Sequence, residues 1–224
     1  MKQEFSKIKK LLKFGIGVKS QIVFSVIFLV AGSLMEIFPV FGSEYMGIDV
    51  GAIFLLCSVM FPAQLIMSLG MSQWVQTSPY KKKFQTSIPA KMTTFGNVIM
   101  LAWSVLLQVI SAAMHGKTLA DAANHLLLIG IWAFLILIFT GVCYKFFLLS
   151  MVVLYAITFL IGMFGGIGML FLVPQGFFHP VAVIVIDLAL ILLGGLIQYG
   201  ISMALYHVPL SKIAFGAAMR RSQG

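Results

Sequence analysis

Charge is what this sequence has least of. Fifteen Lys and Arg and six Asp and Glu make up 9% of 224 residues, against about a quarter in soluble proteins. That shortage excludes a soluble globular domain, whose surface so few charges could not cover. With 61% hydrophobic residues and a mean hydropathy of +1.06, the chain reads as an all-α polytopic membrane protein. Cysteine is nearly absent. Cys57 and Cys143 both fall inside apolar runs with no metal-ligand spacing, as packing residues do. Also missing are HExxH, GxSxG, paired intramembrane aspartates and any Cys/His cluster, so intramembrane proteolysis and metal chemistry lack their parts. The glycine cluster at 162–168 has no GK[ST] ending and lies in a predicted span, and the chain is therefore expected to bind no nucleotide and no cofactor of its own. It is not read as an enzyme.

What is present is a series of apolar runs. Six are near the ~20 residues that a ~30 Å hydrocarbon core requires, at about 21–41, 48–71, 94–114, 123–143, 147–171 and 181–205. Before them, residues 1–20 set Phe5, Ile8, Leu12 and Ile16 on one helical stripe among Lys2, Lys7, Lys9, Lys10 and Lys13, the pattern of an amphipathic interfacial helix. No small-residue cleavage site follows, so this segment is expected to be retained. The basic residues set the orientation. Lys81, Lys82, Lys83, Lys91, Lys145, Lys212, Arg220 and Arg221 share a side with the N-terminal lysines, and Lys117 alone falls opposite. The positive-inside rule then gives N-in, C-in. The net charge of +9 is explained by topology rather than by nucleic acid.

Polar residues inside the spans recur at helical spacing, and in hydrocarbon they need partners. Span one carries Ser25, Gly32 and Glu36, span two Gln64 and Ser68, span three Asn97, Ser104, Gln108 and Ser111, and span six Asp187, Gly194, Gln198 and Ser202. These faces should point into the bundle, at a second copy or at a wet cavity. Asp187 is the one acid that reads as immersed: either a counter-charge for a cationic substrate or a proton site, or a structural acid that is protonated or hydrogen-bonded to a neighbouring helix. Glu36, beside Pro39, is expected to reach water. Span four, almost wholly aliphatic from Leu126 to Phe139, is expected to face lipid. In span five Gly162, Gly165 and Gly166 include a GxxxG pair, suited to close helix packing within a subunit or between two copies. The VPQGFFHP stretch within 172–180 reads as a re-entrant or interfacial outer turn. His115, His125, His179 and His207 lie near span ends, where an imidazole ring is comfortable.

The 72–93 segment is the longest polar interruption. Trp74, Pro79, Tyr80, Lys81, Lys82, Lys83 and Phe84 suggest a short amphipathic element whose aromatics dock a soluble partner within a basic rim. The lysines also serve as topology signal.

With its basic N-terminal helix, six spans, broken outer turn and the phrase SPYKKKFQTSIPAK between spans two and three, the chain resembles ABC-2 type transporter permeases, nearest to small permeases that export peptides. The resemblance implies a type V exporter-like half-transporter. Two copies would pair with two copies of a separate ABC ATPase, which holds ATP and Mg, and the partners would include the lipid bilayer and an amphipathic peptide. The coupling segment would run from Gln73 to Phe84. The family's route between permeases fits Ser25, Glu36, Gln64, Ser68 and the Gly162–Gly168 run, and does not single out Asp187. The place would be a bacterial cell membrane, multi-pass. Other readings of the residues are a non-transporting scaffold or immunity protein that sequesters a toxin, and a proton-coupled carrier centred on Asp187.

Overall fold

The computed structural model describes residues 18–38, 50–71, 73–115, 123–143, 145–160, 179–209 and 211. Within them the structure is all-helical, without strands. The helices are α1 (Val18–Ile37), α2 (Val50–Met71), α3 (Gln73–Thr77), α4 (Lys81–Gln85), α5 (Ser87–His115), α6 (Ala123–Cys143), α7 (Phe147–Leu160) and α8 (Pro180–Ala204). Four of them, α1, α5, α6 and α8, are long and apolar enough to cross a membrane. α2 is 22 residues long and continues through Pro62. Residues 1–17 of the amphipathic segment expected at 1–20, the outer turn before His179 and Gly162, Gly165 and Gly166 lie outside the described residues.

α5 runs to 29 residues, about 44 Å at 1.5 Å per residue, well beyond a hydrocarbon core. It begins at Ser87 rather than near 94, because the end of the polar segment is itself helical. Pro89, its third residue, sits in the first turn, where a missing N–H breaks no intrahelical bond.

Among the described residues, two closely packed helix pairs flank α5. α1 and α2 cross closely at Gly32: a Cβ there would stand 2.9 Å from the Leu55 nitrogen and 3.0 Å from the Gly51 carbonyl oxygen. Phe28 stacks on Phe54 with centroids 4.9 Å apart, and Ser25 Oγ donates to the Ser58 carbonyl at 2.8 Å. α6 and α8 form the other pair. Leu126, Ile129, Trp132, Ala133 and Leu137 of α6 are buried with Val183 and Ile191 of α8 and Leu101 of α5. The expectation that the aliphatic fourth span faces lipid is thus corrected. α6 is the most enclosed of the candidate spans, and α1 the most exposed. Uniform hydrophobicity suits a helix buried on all sides as well as one bathed in lipid.

Interhelical contacts fix the directions of the helices. Lys145, just after α6, bonds Gln85, just before α5, and carbonyls just after α8. Those three points therefore share one end of the bundle, the loop end, with α3 and α4. Glu36 near the end of α1, Gln108 in the last third of α5 and His125 at the start of α6 meet at the opposite, distal end. α5 runs antiparallel to α6 and α8.

Candidate functional site

Among the described residues, three polar groupings lie along the bundle. At the loop end, α4 turns Phe84 and Gln85 inward, 4% exposed each, and leaves Tyr80, Lys82 and Lys83 at the surface. Phe84 is therefore corrected from docking aromatic to core residue: on a five-residue helix tucked beneath the spans, burying its ring is the larger gain. Lys145 Nζ reaches the Val208 carbonyl at 2.6 Å, and the Tyr206 carbonyl and Gln85 Oε1 at 3.4 Å each. A cation on carbonyls beyond a helix C-terminus answers their partial negative charge. Burial, and then the neighbouring Lys81, hold the Lys145 ammonium below the ordinary lysine pKa of 10.5. Lys82 Nζ lies 5.8 Å from the Tyr206 ring centroid, within cation–π range. Pro79 is exposed in the turn between α3 and α4.

Midway, Thr93 Oγ1 of α5 donates to Gln198 Oε1 of α8 at 2.8 Å, and Asn97 Nδ2 donates to the Thr93 carbonyl at 2.9 Å. Eleven residues nearer the distal end, Asp187 of α8 is fully buried against Gly130 of α6. A side chain at 130 would overlap its carboxyl. Neither Asp187 oxygen has a hydrogen-bond partner among the described residues.

At the distal end, Glu36 is buried, contrary to the expectation that it reaches water. Proximity to Pro39 made it look terminal, but α5 and α6 enclose it. Gln108 Nε2 donates to Glu36 Oε2, and His125 Nε2 lies 2.9 Å from the same oxygen. Trp103 Nε1 donates to Ser33 Oγ at 2.9 Å, a second polar tie between α5 and α1. His125 and Lys145 were missed as site residues. Each follows or precedes an apolar run, a position equally suited to a solvated residue, so spacing held no signal for either.

Of the other expected residues, Ser25 is engaged in the α1–α2 seam. Gln64 and Ser68 lie on α2, and Gln73 and Trp74 on α3; their side chains are outside the described set. Among the described residues no group of three or more His, Cys, Asp or Glu could hold a metal ion. No family model, curated protein or solved structure matches the chain.

Proposed function

We propose that the chain is a six-span membrane subunit of an ATP-driven exporter, of the ABC-2 kind, which moves a small amphipathic peptide out of a bacterial cell. Two copies would work with two copies of a separate ATPase. One observation carries this reading: the α3–α4 segment is tied by Lys145 to the α6–α7 turn and to the end of α8. A push on its exposed Tyr80, Lys82 and Lys83 would reach several long helices at once, as a coupling element must. The buried Phe84 and Gln85 make that element a rigid lever, and the neighbouring surface combines an aromatic with cations. Every described lysine, Lys19, Lys81, Lys82, Lys83, Lys91 and Lys145, sits at the loop end, which supports a cytoplasmic loop end under the positive-inside rule.

The test is purification of the chain from its native membrane, where an ABC ATPase is expected to co-purify, followed by co-reconstitution of the two. Peptide-stimulated ATP hydrolysis is expected to fall about tenfold in a Tyr80→Ala/Lys82→Ala/Lys83→Ala variant, the effect of losing a modest hot spot, with membrane insertion unchanged. Peptide export that survives ATP depletion would overturn the reading. Protection against a toxin by the chain without any ATPase would favour the sequestering alternative.

A further inference from the structure

The buried side-chain atoms that lack a hydrogen-bond partner among the described residues are not scattered. Apart from Gln21 Oε1 on α1, they are Gln85 Nε2, Gln198 Nε2, Asn97 Oδ1, Ser104 Oγ, both Asp187 oxygens and Glu36 Oε1. In that order they follow the buried side of α5 from the loop end to the distal end. The α5 residues Thr93, Asn97, Ser104 and Gln108 are offset by four, seven and four, so they line one face. The Thr93–Gln198 hydrogen bond sets the register with α8. Because the two helices are antiparallel, Asp187 and Ser104, each eleven residues from that bond, stand at the same depth, about 16 Å farther along. Gln108, one turn beyond Ser104, donates to Glu36. Both described acids, Glu36 and Asp187, thus lie in the distal part of a single polar file.

Each buried polar atom left without a partner costs about 1–3 kcal/mol, and native proteins satisfy most such groups with protein or ordered water. A file of them, mixing amide donors, an amide acceptor, a hydroxyl that both donates and accepts, and two carboxyl groups, is suited to hold water and, through that water, to pass protons. We propose that the buried face of α5 is a proton track. Water held between α5, α6 and α8 links the Glu36–His125 pair at the distal end to Asp187 and Ser104, and continues past Asn97 and Gln198 to Gln85 at the loop end. Each step moves one proton between neighbouring waters, the Asp187 or Glu36 carboxyl, the His125 imidazole or the Ser104 hydroxyl, while the Asn97 and Gln198 amides hold and orient the waters; one O–H or N–H bond breaks as another forms, and no oxidant or reductant is required. Gly130 serves the track by leaving room for the Asp187 carboxyl. This inference needs no ATPase and stands apart from the exporter reading.

The experiment uses the purified full chain in phosphatidylcholine–phosphatidylglycerol vesicles with a trapped pH-sensitive dye, without ATP, under a valinomycin-set potassium potential. Proton entry is expected to exceed that of protein-free vesicles. It should fall at least about tenfold in Asp187→Asn, as when a positioned proton carrier is removed. Ser104→Ala, a small change that keeps the helix, should also slow entry, and it decides the matter if Asp187→Asn fails to fold. Entry no faster than in empty vesicles, or the same rate in folded Asp187→Asn or Ser104→Ala, overturns the proposal. Sodium passing as readily as protons would indicate an unselective pore and overturn it equally.

Discussion

Gly130 and Asp187 share a space that holds only one side chain. The carboxyl of Asp187 occupies the volume that a Cβ at 130 would need, so Gly130→Ala should destabilise the protein by about 1–3 kcal/mol, the usual cost of overpacking. Shortening the intruder should relieve the clash. The Gly130→Ala/Asp187→Ala double variant is therefore expected to be more stable than the sum of the two single losses, and thermal unfolding of all four proteins in one detergent measures that coupling. Lys145 makes a different prediction. Its folded pKa is depressed, so between that value and 10.5 the unfolded chain binds more protons than the folded one, and stability rises with pH across that window. Lys145→Met should remove the rise, seen as a flatter melting temperature between neutral pH and pH 10.5. It should also leave the Val208 and Tyr206 carbonyls without their donor.

Among elements, α4 and α6 show how far pattern reading reaches. Polar stripes were legible: Asn97 and Ser104 on α5, and Asp187, Gln198 and Ser202 on α8, are all buried, because a polar group in an apolar helix turns toward protein for a physical reason. An apolar helix carries no such pointer. Nothing from Leu126 to Phe139 says whether lipid or protein surrounds it, and α6 proved the most enclosed of the candidate spans. For α4 the difficulty was its length. Five residues give barely more than one helical turn, so Phe84 and Tyr80, four apart, could have shared a face; instead Phe84 is 4% exposed and Tyr80 50%. Phe84→Ala should accordingly cost about 3–5 kcal/mol, whereas Tyr80→Ala should change melting by less than about 0.5 kcal/mol. Equal losses would refute this division of labour.

For the molecule as a whole, the lysines predict an orientation that chemistry can check. A thiol placed by Lys83→Cys in the Cys57→Ser/Cys143→Ser background should react with a membrane-impermeant maleimide in inside-out vesicles and not in intact cells. The reverse would invert the topology. The close association of α6 with α8 has a further consequence, in the order of manufacture. About sixty residues separate the end of α6 from the end of α8, so at synthesis rates of 5–20 residues per second α6 is made roughly 3–12 s before its principal neighbour is complete. During that interval the notch at Gly130 stands open, and the nascent bundle depends on insertion factors or surrounding lipid to shelter it. Chains stopped after Leu160 should be cleared from the membrane faster than full-length ones, because quality-control proteases would meet an α6 that never receives its companion.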